Sequence, residues 1–469
     1  MPFPPFRHRW IPRTLFVAAL AAALGACVSV QVPKLPTGDL PAHWRNASSE
    51  LGPKPDLTGW WKHFRDPQLN TLVERALHDN LDVAQATWTL RAARALEDAA
   101  TTRFKPKLAF NTIEQPNPEN TASYFQAGFD ATWELGLFGR RDANGHIAAA
   151  SAGQAEAELQ SARVSLVAEV VREYLQLRAA QRSEALLETA ARAAHDKLKL
   201  LRVRQHLQLT SQLDVEQAIA VAAKSAAQLA DPRAAIAQHA QTLALLLGMS
   251  EPDPAWLAPQ PLPRLAAGNV TSLPANLLRT RPEIRYAETR VLKAAGELGI
   301  AKADMYPHLA LGSSLTFAAL VKGQTHLGDV NNTFAIGPII SIPLFDWGRR
   351  RAARDARSDQ LQAALSGYRK AVLQGAAEVE SDLAALHASG QRLQHASAEA
   401  GASQRGLTLS EKLQGLGQAD AMNLADVKLA LTESELDRVH ARLAHGLAFV
   451  ALYKALGGAP LPEDDHATN

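Results

Sequence analysis

From Phe125 to Trp133 every second residue is apolar: Phe125, Ala127, Phe129, Ala131 and Trp133 alternate with Gln126, Gly128, Asp130 and Thr132. A period of two with one apolar and one polar face predicts a β-strand. The pattern returns far downstream. Leu309, Leu311, Leu315 and Phe317 share a face opposite His308, Ser314 and Thr316, and Phe334, Ile336, Ile340 and Ile342 line one side of a further run. A fainter run near 107–115 completes four strands, in pairs spanning about 107–138 and about 308–345. Pro338 falls inside the last run and predicts a bulge, because proline gives a ladder no donor. On either side of each pair the period becomes helical. Residues 67–104, with Leu69, Leu72, Val73, Ala76 and Leu77, read as one helix that Pro106 ends. Residues 141–206 contain no proline, and at about 1.5 Å per residue they would reach on the order of 100 Å. A break at "HLQLTSQLD" precedes a returning helix to Gly248. A second long helix runs to about Gly415, breaks at "GLGQAD" and returns to Gly457.

The two halves are one design written twice. At an offset of 201, Pro106 falls on Pro307, Leu108 on Leu309 and Ala93 on Ala294. At an offset of 209, Gly139-Arg140-Arg141 falls on Gly348-Arg349-Arg350, and Leu247-Gly248 on Leu456-Gly457. The period is too long for a solenoid of small repeats and reads as a tandem duplication. Between the halves, "GMSEPDPAWLAPQPLPRLAAGN" is rich in proline and polar residues and reads as a connector.

Composition adds the setting. Hydrophobic residues make up 47% of the 469 and aromatics only 6%, with alanine, a helix former, supplying much of the apolar share. No basic block stands out, which argues against nucleic acid. Arg7, Arg9 and Arg13 precede the apolar "LFVAALAAALGA" and then Cys27, the pattern of a secretory signal whose core is too short to span. Cys27 is the only cysteine, so it makes no intramolecular disulfide. Its setting "LGAC" resembles a bacterial lipobox, in which the cysteine is lipidated. Cleavage before Cys27 removes three arginines and no acids, taking the formal charge from +2 to −1. Val28, rather than aspartate, follows Cys27, which resembles an outer-membrane sorting signal.

Aromatics gather where each strand pair meets its long helix: Trp133 and Phe138, then Phe345 and Trp347. That is the placing of a membrane–water belt. In a bilayer every backbone donor and acceptor must be paired, and small transmembrane barrels begin at about eight strands. Four strands per chain therefore require oligomerisation. At the junctions, Gly139 and Gly348 would let a tilted strand turn into a helix. Arg140, Arg141, Arg349 and Arg350 would stay in the headgroup zone and could also hold outer-membrane lipid phosphates.

At "WELGLFGRR", "IPLFDWGRRR", "RPEI", "YPHL" and the closing "ALGGAP" the chain resembles the TolC-like outer membrane factors, and its lipobox resembles their NodT-type lipoprotein branch. The resemblance spans roughly 40–460. It implies a mainly α fold with a membrane β-hairpin pair: a homotrimer sharing a 12-stranded barrel, four strands per chain, that continues into a long periplasmic α-helical barrel. It also implies an outer-membrane exit duct of a tripartite efflux pump, fed by an inner-membrane transporter and a periplasmic adaptor. The duct would pass small molecules without catalysis or cofactor. The expected organisation is a signal peptide at 1–26, a lipidated and equatorial segment at 27–66, repeats at 67–250 and 275–458, a connector at 251–274 and a tail at 459–469.

The resemblance places function at the helical turns far from the barrel. Gly417 and Asp426 match a glycine and an aspartate of the second turn, and Asp214 the aspartate of the first. In a trimer each aspartate becomes a ring of three that would gate the duct and favour cations; the competing reading is an ordinary solvated or capping acid. The latch pair of some relatives is absent, since Leu413 and Gln414 stand there. Gly415, Gly417 and Ala419 are small enough for close approach of an adaptor. No HExxH, CxxC or GxSxG motif supports an enzyme or a metal site. His440 and His445 are five apart, off the i, i+4 metal spacing, and read as solvated surface residues. The rival reading is an envelope-spanning structural lipoprotein without transport, which would need no amphipathic strands.

Overall fold

The computed structural model describes residues 33–35, 44–46, 56–115, 123–266, 280–322 and 326–461. The signal peptide and Cys27 lie outside the described residues, as do parts of the connector and tail. The helices longer than five residues are α1 (Pro67–Asp79), α2 (Leu81–Ala100), α3 (Arg140–His206), α4 (Gln212–Ala227), α5 (Ala230–Leu246), α6 (Pro282–Ala303), α7 (Arg349–Gly415) and α8 (Ala421–Ala455). The strands are β1 (Lys107–Gln115), β2 (Ser123–Glu134), β3 (His308–Lys322) and β4 (His326–Ser341), one antiparallel sheet in that order. The two long helices, α3 and α7, are 67 residues each.

Three sequence expectations are corrected. The helix foreseen over 67–104 is two helices and a final 3-10 turn, Thr101–Phe104. It divides at Asn80, whose extended backbone ends α1. The Asn80 side chain accepts from the amides of Asp82 and Val83 at 3.0 and 3.1 Å, capping the next helix, and donates to the Leu246 carbonyl at 2.9 Å. The first returning helix is also two, α4 and α5, parted at Gln228 and Leu229. Pro232 is the cause: it has no N–H to give the carbonyl four residues back, at Gln228. Finally, Pro338 makes no bulge. It pairs with Leu311 in unbroken register, on an edge strand where alternate backbone groups lie free of the ladder. The register shift falls instead between Ala319 and Val321.

Two compact units form, and each draws on both repeats. One contains Thr89–Ala155 and Tyr286–Arg369, hence the sheet. Within it α3 and α6 approach closely: a Cβ on Gly296 would lie 2.9 Å from the Ala143 carbonyl and 2.7 Å from Ile147. The other unit contains residues within 37–88, 156–285 and 370–469. Its core centres on Trp60, which is fully buried, stacks on Tyr453 at 5.5 Å and donates from Nε1 to the Gly458 carbonyl at 3.0 Å. The connector is held there by Arg178, whose guanidinium is buried. It donates to the carbonyls of Trp256 (3.1 Å) and Ala258 (3.0 Å) and to Gln68 (2.6 Å) and Gln181 (2.7 Å).

The halves match at the level of backbone hydrogen bonds. α5 ends with Gly248 at φ +70°, the Met249 amide on the Ala244 carbonyl and the Gly248 amide on Leu245. α8 ends the same way, with Gly457 at φ +75°, Gly458 on Tyr453 and Gly457 on Lys454. Both are Schellman closures, in which a left-handed residue lets the chain return to its own last carbonyls.

Candidate functional site

The sheet register assembles two unlike faces. Phe110, Phe129, Leu315 and Phe334 stand in one row across all four strands, and the rings of Phe110 and Phe129 lie 5.1 Å apart. Their face also holds Leu108, Trp133, Leu311, Ile336 and Ile340. The opposite face carries Asn111, Asp130, Ser314, Thr316 and Thr333. Asn111 donates to Asp130 at 2.8 Å, and the hydroxyls of Ser314 and Thr316 lie 3.0 Å apart. Phe334 is 67% exposed and Ile336 64% in the single chain. So broad an apolar surface is a membrane or protein interface, not a solvated one. β1 and β4 each leave an outer edge unpaired among the described residues. No described helix is long and apolar enough to cross a membrane.

The two junctions share a backbone turn. Phe138 and Gly139 have φ of 56° and 78°, and Trp347 and Gly348 have 56° and 82°. In each, the following arginine amide bonds the carbonyl three residues back: Arg140 to Leu137 at 3.2 Å, Arg349 to Asp346 at 3.1 Å. Two successive positive φ values inside such a bond mark a type I′ turn. A left-handed conformation costs a non-glycine residue on the order of 1–2 kcal/mol, so an aromatic there is held by its surroundings. Phe138 stacks on Tyr306 at 4.9 Å, and Trp347, 90% exposed, meets the edge of Phe345 at 4.9 Å. The glycine carbonyls then receive the first helical bonds, from Ala143 and Ala352, at 2.9 Å.

The four junction arginines do not behave alike. Arg140 turns to the polar side, pairing with Asp304 and, at 3.5 Å, with Glu134. Arg350 pairs with Asp346 of its own turn at 3.1 Å. Of the four, Arg141 and Arg349 are the two that are exposed and left without an ion pair among the described residues.

The helical tips repeat one closure as well. α7 ends with Gly417 at φ +72°, its amide on Gln414 and the Gln418 amide on Leu413, both 2.9 Å. α3 ends identically, but with Gln208 as the left-handed residue at φ +58°. Gly417 is thus favoured by backbone conformation, though Gln208 shows that the turn admits another residue. Gly415, the last residue of α7, and Ala419, two residues past Gly417, complete the small-residue stretch, and a Cβ added at Gly415 or Gly417 would meet nothing within 4 Å. The next helices begin at equivalent positions, Ser211 for α4 and Asp420 for α8.

The two candidate aspartates differ. Asp214 closes a capping box: its Oδ2 accepts from the Ser211 amide at 3.0 Å, the Ser211 hydroxyl at 2.7 Å and the Thr210 hydroxyl at 2.8 Å. The Ser211 hydroxyl, then Thr210, hold its carboxyl below the usual range. Asp426 lies within α8 and takes a hydrogen bond from Lys197 of α3. Beside it Arg204 donates to Asp420 at 2.7 Å. Leu198, Leu201, Val215 and Ala218, with Met422 against them, form the apolar floor beneath. Sequence spacing missed Lys197 and Arg204, because their partners lie more than two hundred positions away; it also missed Asp420, which the signal of an aspartate just before a helical run could have found. His440 is exposed, but His445 is half-buried, its Nδ1 3.2 Å from the Ser389 hydroxyl, and burial lowers its pKa. It is not the solvated residue its spacing suggested.

Comparison with known proteins matches these parts. The profile of the family described as "Outer membrane efflux protein" covers residues 72–249 and 273–458. The pyoverdine export outer membrane protein OpmQ of Pseudomonas aeruginosa is 27% identical over 467 residues, covering 95% of this chain and 97% of the relative. Nodulation protein T of Rhizobium leguminosarum bv. viciae is 26% identical over 389 residues, covering 79% of this chain and 78% of that one. Among solved structures, the outer-membrane channel OprN superposes with a TM-score of 0.79 at 30% identity, over 92% of this chain and 100% of its own. The chain belongs to the outer membrane efflux proteins, the outer-membrane channel components of efflux pumps.

Proposed function

We propose that this chain forms a homotrimeric exit duct that carries small molecules, drugs or other toxic compounds, from the periplasm to the exterior without catalysis. The observation that carries the reading is the sheet: four strands, one mainly apolar face, one mainly polar face and two edges unpaired among the described residues. Such a sheet becomes stable in a bilayer only when its edges pair into a closed barrel. Three copies give twelve strands with the polar face inward. A periplasmic adaptor and an inner-membrane transporter complete the pump, the adaptor meeting the tips near Gly415, Gly417 and Ala419. Cys27 carries the lipid anchor.

The test is heat-modified gel mobility of the membrane-extracted protein, with globomycin added to cultures to block lipoprotein processing. A heat-labile trimer in outer-membrane fractions, with globomycin-sensitive maturation, is expected. A soluble monomer overturns the reading.

Asp426 is proposed as the gate residue, since it is ion-paired across helices at a tip, while the Asp214 carboxylate is engaged by its own cap. Asp426→Ala should raise single-channel conductance in planar bilayers and sensitivity to large antibiotics. Unchanged conductance removes Asp426 from the gate.

A further inference from the structure

Where the polar face of the sheet meets the junctions, it holds a charged cleft that neither strand pairing nor helix capping requires. The cleft measures about 520 Å³ and is lined by Arg103, Lys107, Glu134, Arg140 and His308, with strand residues that include Thr132 and Ile339. Three permanent cations thus face one carboxylate. Glu134 divides its two oxygens, each 3.5 Å from a guanidinium, Arg103 on one side and Arg140 on the other. Asp304, behind the lining, takes the second Arg140 terminus and lies 3.8 Å from His308 Nε2. Donors are left over. Arg103 is about half exposed, and the exposed Lys107 makes no ion pair among the described residues.

A guanidinium carries five donors and an ammonium three, while none of them can accept. The group that satisfies several at once is a multiply charged oxyanion, which guanidinium binds through paired charge-assisted bonds. We propose that this cleft binds polyvalent oxyanions on the inner wall of the duct, at its strand-to-helix end. The site rests on the reading of the polar face as the channel wall. It differs in kind from the aspartates of the tips: those would favour cations, and this cleft would hold anions.

Binding is measured directly, without relying on conduction. The full chain, purified in detergent, is titrated calorimetrically with sodium pyrophosphate. Saturable binding is expected. In the double variant R103Q/K107Q two partly exposed cations are gone, each contributing about 0.5 kcal/mol, so the dissociation constant should rise about fivefold. Glu134→Gln removes the competing carboxylate and should tighten binding. Lys199→Gln, an exposed lysine that is not among the cleft's lining residues, controls for charge alone and should change nothing. Heat-modified mobility confirms that each variant is folded. Absent or non-saturable binding, or equal binding by the double variant, overturns the proposal. Dihexanoyl phosphatidic acid, titrated in parallel, separates the two sources of phosphate: binding of the lipid but not of pyrophosphate would assign the cleft to headgroups and overturn its place on the wall. Planar-bilayer conductance is recorded separately, so failure to conduct counts against the channel and leaves the binding result standing.

Discussion

Gln208 and Gly417 occupy the same place in two identical turns, and exchanging their residue types should move the two tips in opposite directions. Both have left-handed φ, and both are closed by the same pair of backbone bonds. For glutamine that conformation costs on the order of 1–2 kcal/mol, and for glycine almost nothing. Glycine loses part of this advantage through its freer unfolded chain, about 0.4–1 kcal/mol. No steric term adds to the balance at Gly417, where an added Cβ has nothing within 4 Å. The net is about 1 kcal/mol, near a fivefold change in the equilibrium for local opening. Hydrogen exchange reads it at the amides that close each turn, Leu209 bonded to Arg204 at 2.8 Å and Gln418 bonded to Leu413 at 2.9 Å. Gln208→Gly should slow exchange in the first tip about fivefold, and Gly417→Gln should speed it by a similar factor in the second. Equal exchange in both variants would refute the conformational argument. A far larger effect at Gly417 would show that packing, absent within the single chain, holds it in the assembly.

Arg178→Met leaves the Ala258 carbonyl and the oxygens of Gln68 and Gln181 without its buried guanidinium, while the Trp256 carbonyl keeps a hydrogen bond from Gln181 Nε2 at 3.0 Å. It should lower stability by about 3 kcal/mol, measured as a shift in urea midpoint by tryptophan fluorescence, with Arg178→Lys intermediate. Glu173 bears on acid stability. Burial alone would raise its pKa, but the hydrogen bond and charge of His239, with Arg172, outweigh that and lower it from 4.5. A folded pKa below the unfolded one stabilises the native state above the unfolded value, and that stability is lost as pH falls through the folded one. Titration from pH 6 downwards should therefore show a loss beginning near 4.5, which Glu173→Gln flattens. An identical acid profile in that variant would sink the assignment.

The strands were legible because their alternation is local: Phe125 to Trp133 states both faces without reference to anything distant. The helical turns at the tips were legible for the same reason. What escaped the sequence had causes elsewhere in the chain. Asn80 ends a helix while also binding the Leu246 carbonyl, and nothing near Asn80 names Leu246. Pro232 breaks its helix at Gln228, yet proline is also accepted in a first helical turn, so its presence alone does not locate the break. Pro338 looked decisive within its strand, but the cost of a missing donor depends on whether the strand lies at an edge. The junction arginines looked interchangeable. Asp346 serves Arg350 in the second turn, whereas Leu137 at the matched place of the first offers its counterpart Arg141 no acid; Arg140, unlike its counterpart Arg349, meets Asp304 and Glu134.

The paired turns carry a further consequence for how such a chain can change. Between the halves, the residues at matched positions differ: glutamine for glycine at the tips, phenylalanine for tryptophan and leucine for aspartate at the junctions. What stays the same is the closing pair of amide-to-carbonyl bonds at each tip and the turn and first helical bonds at each junction. The duplicated architecture is thus written in main-chain bonds, leaving the side chains of either copy free to take up separate tasks. A gene doubled in this way can tune its two tips and its two junctions independently, one substitution at a time, while the pseudo-symmetric frame stays in place.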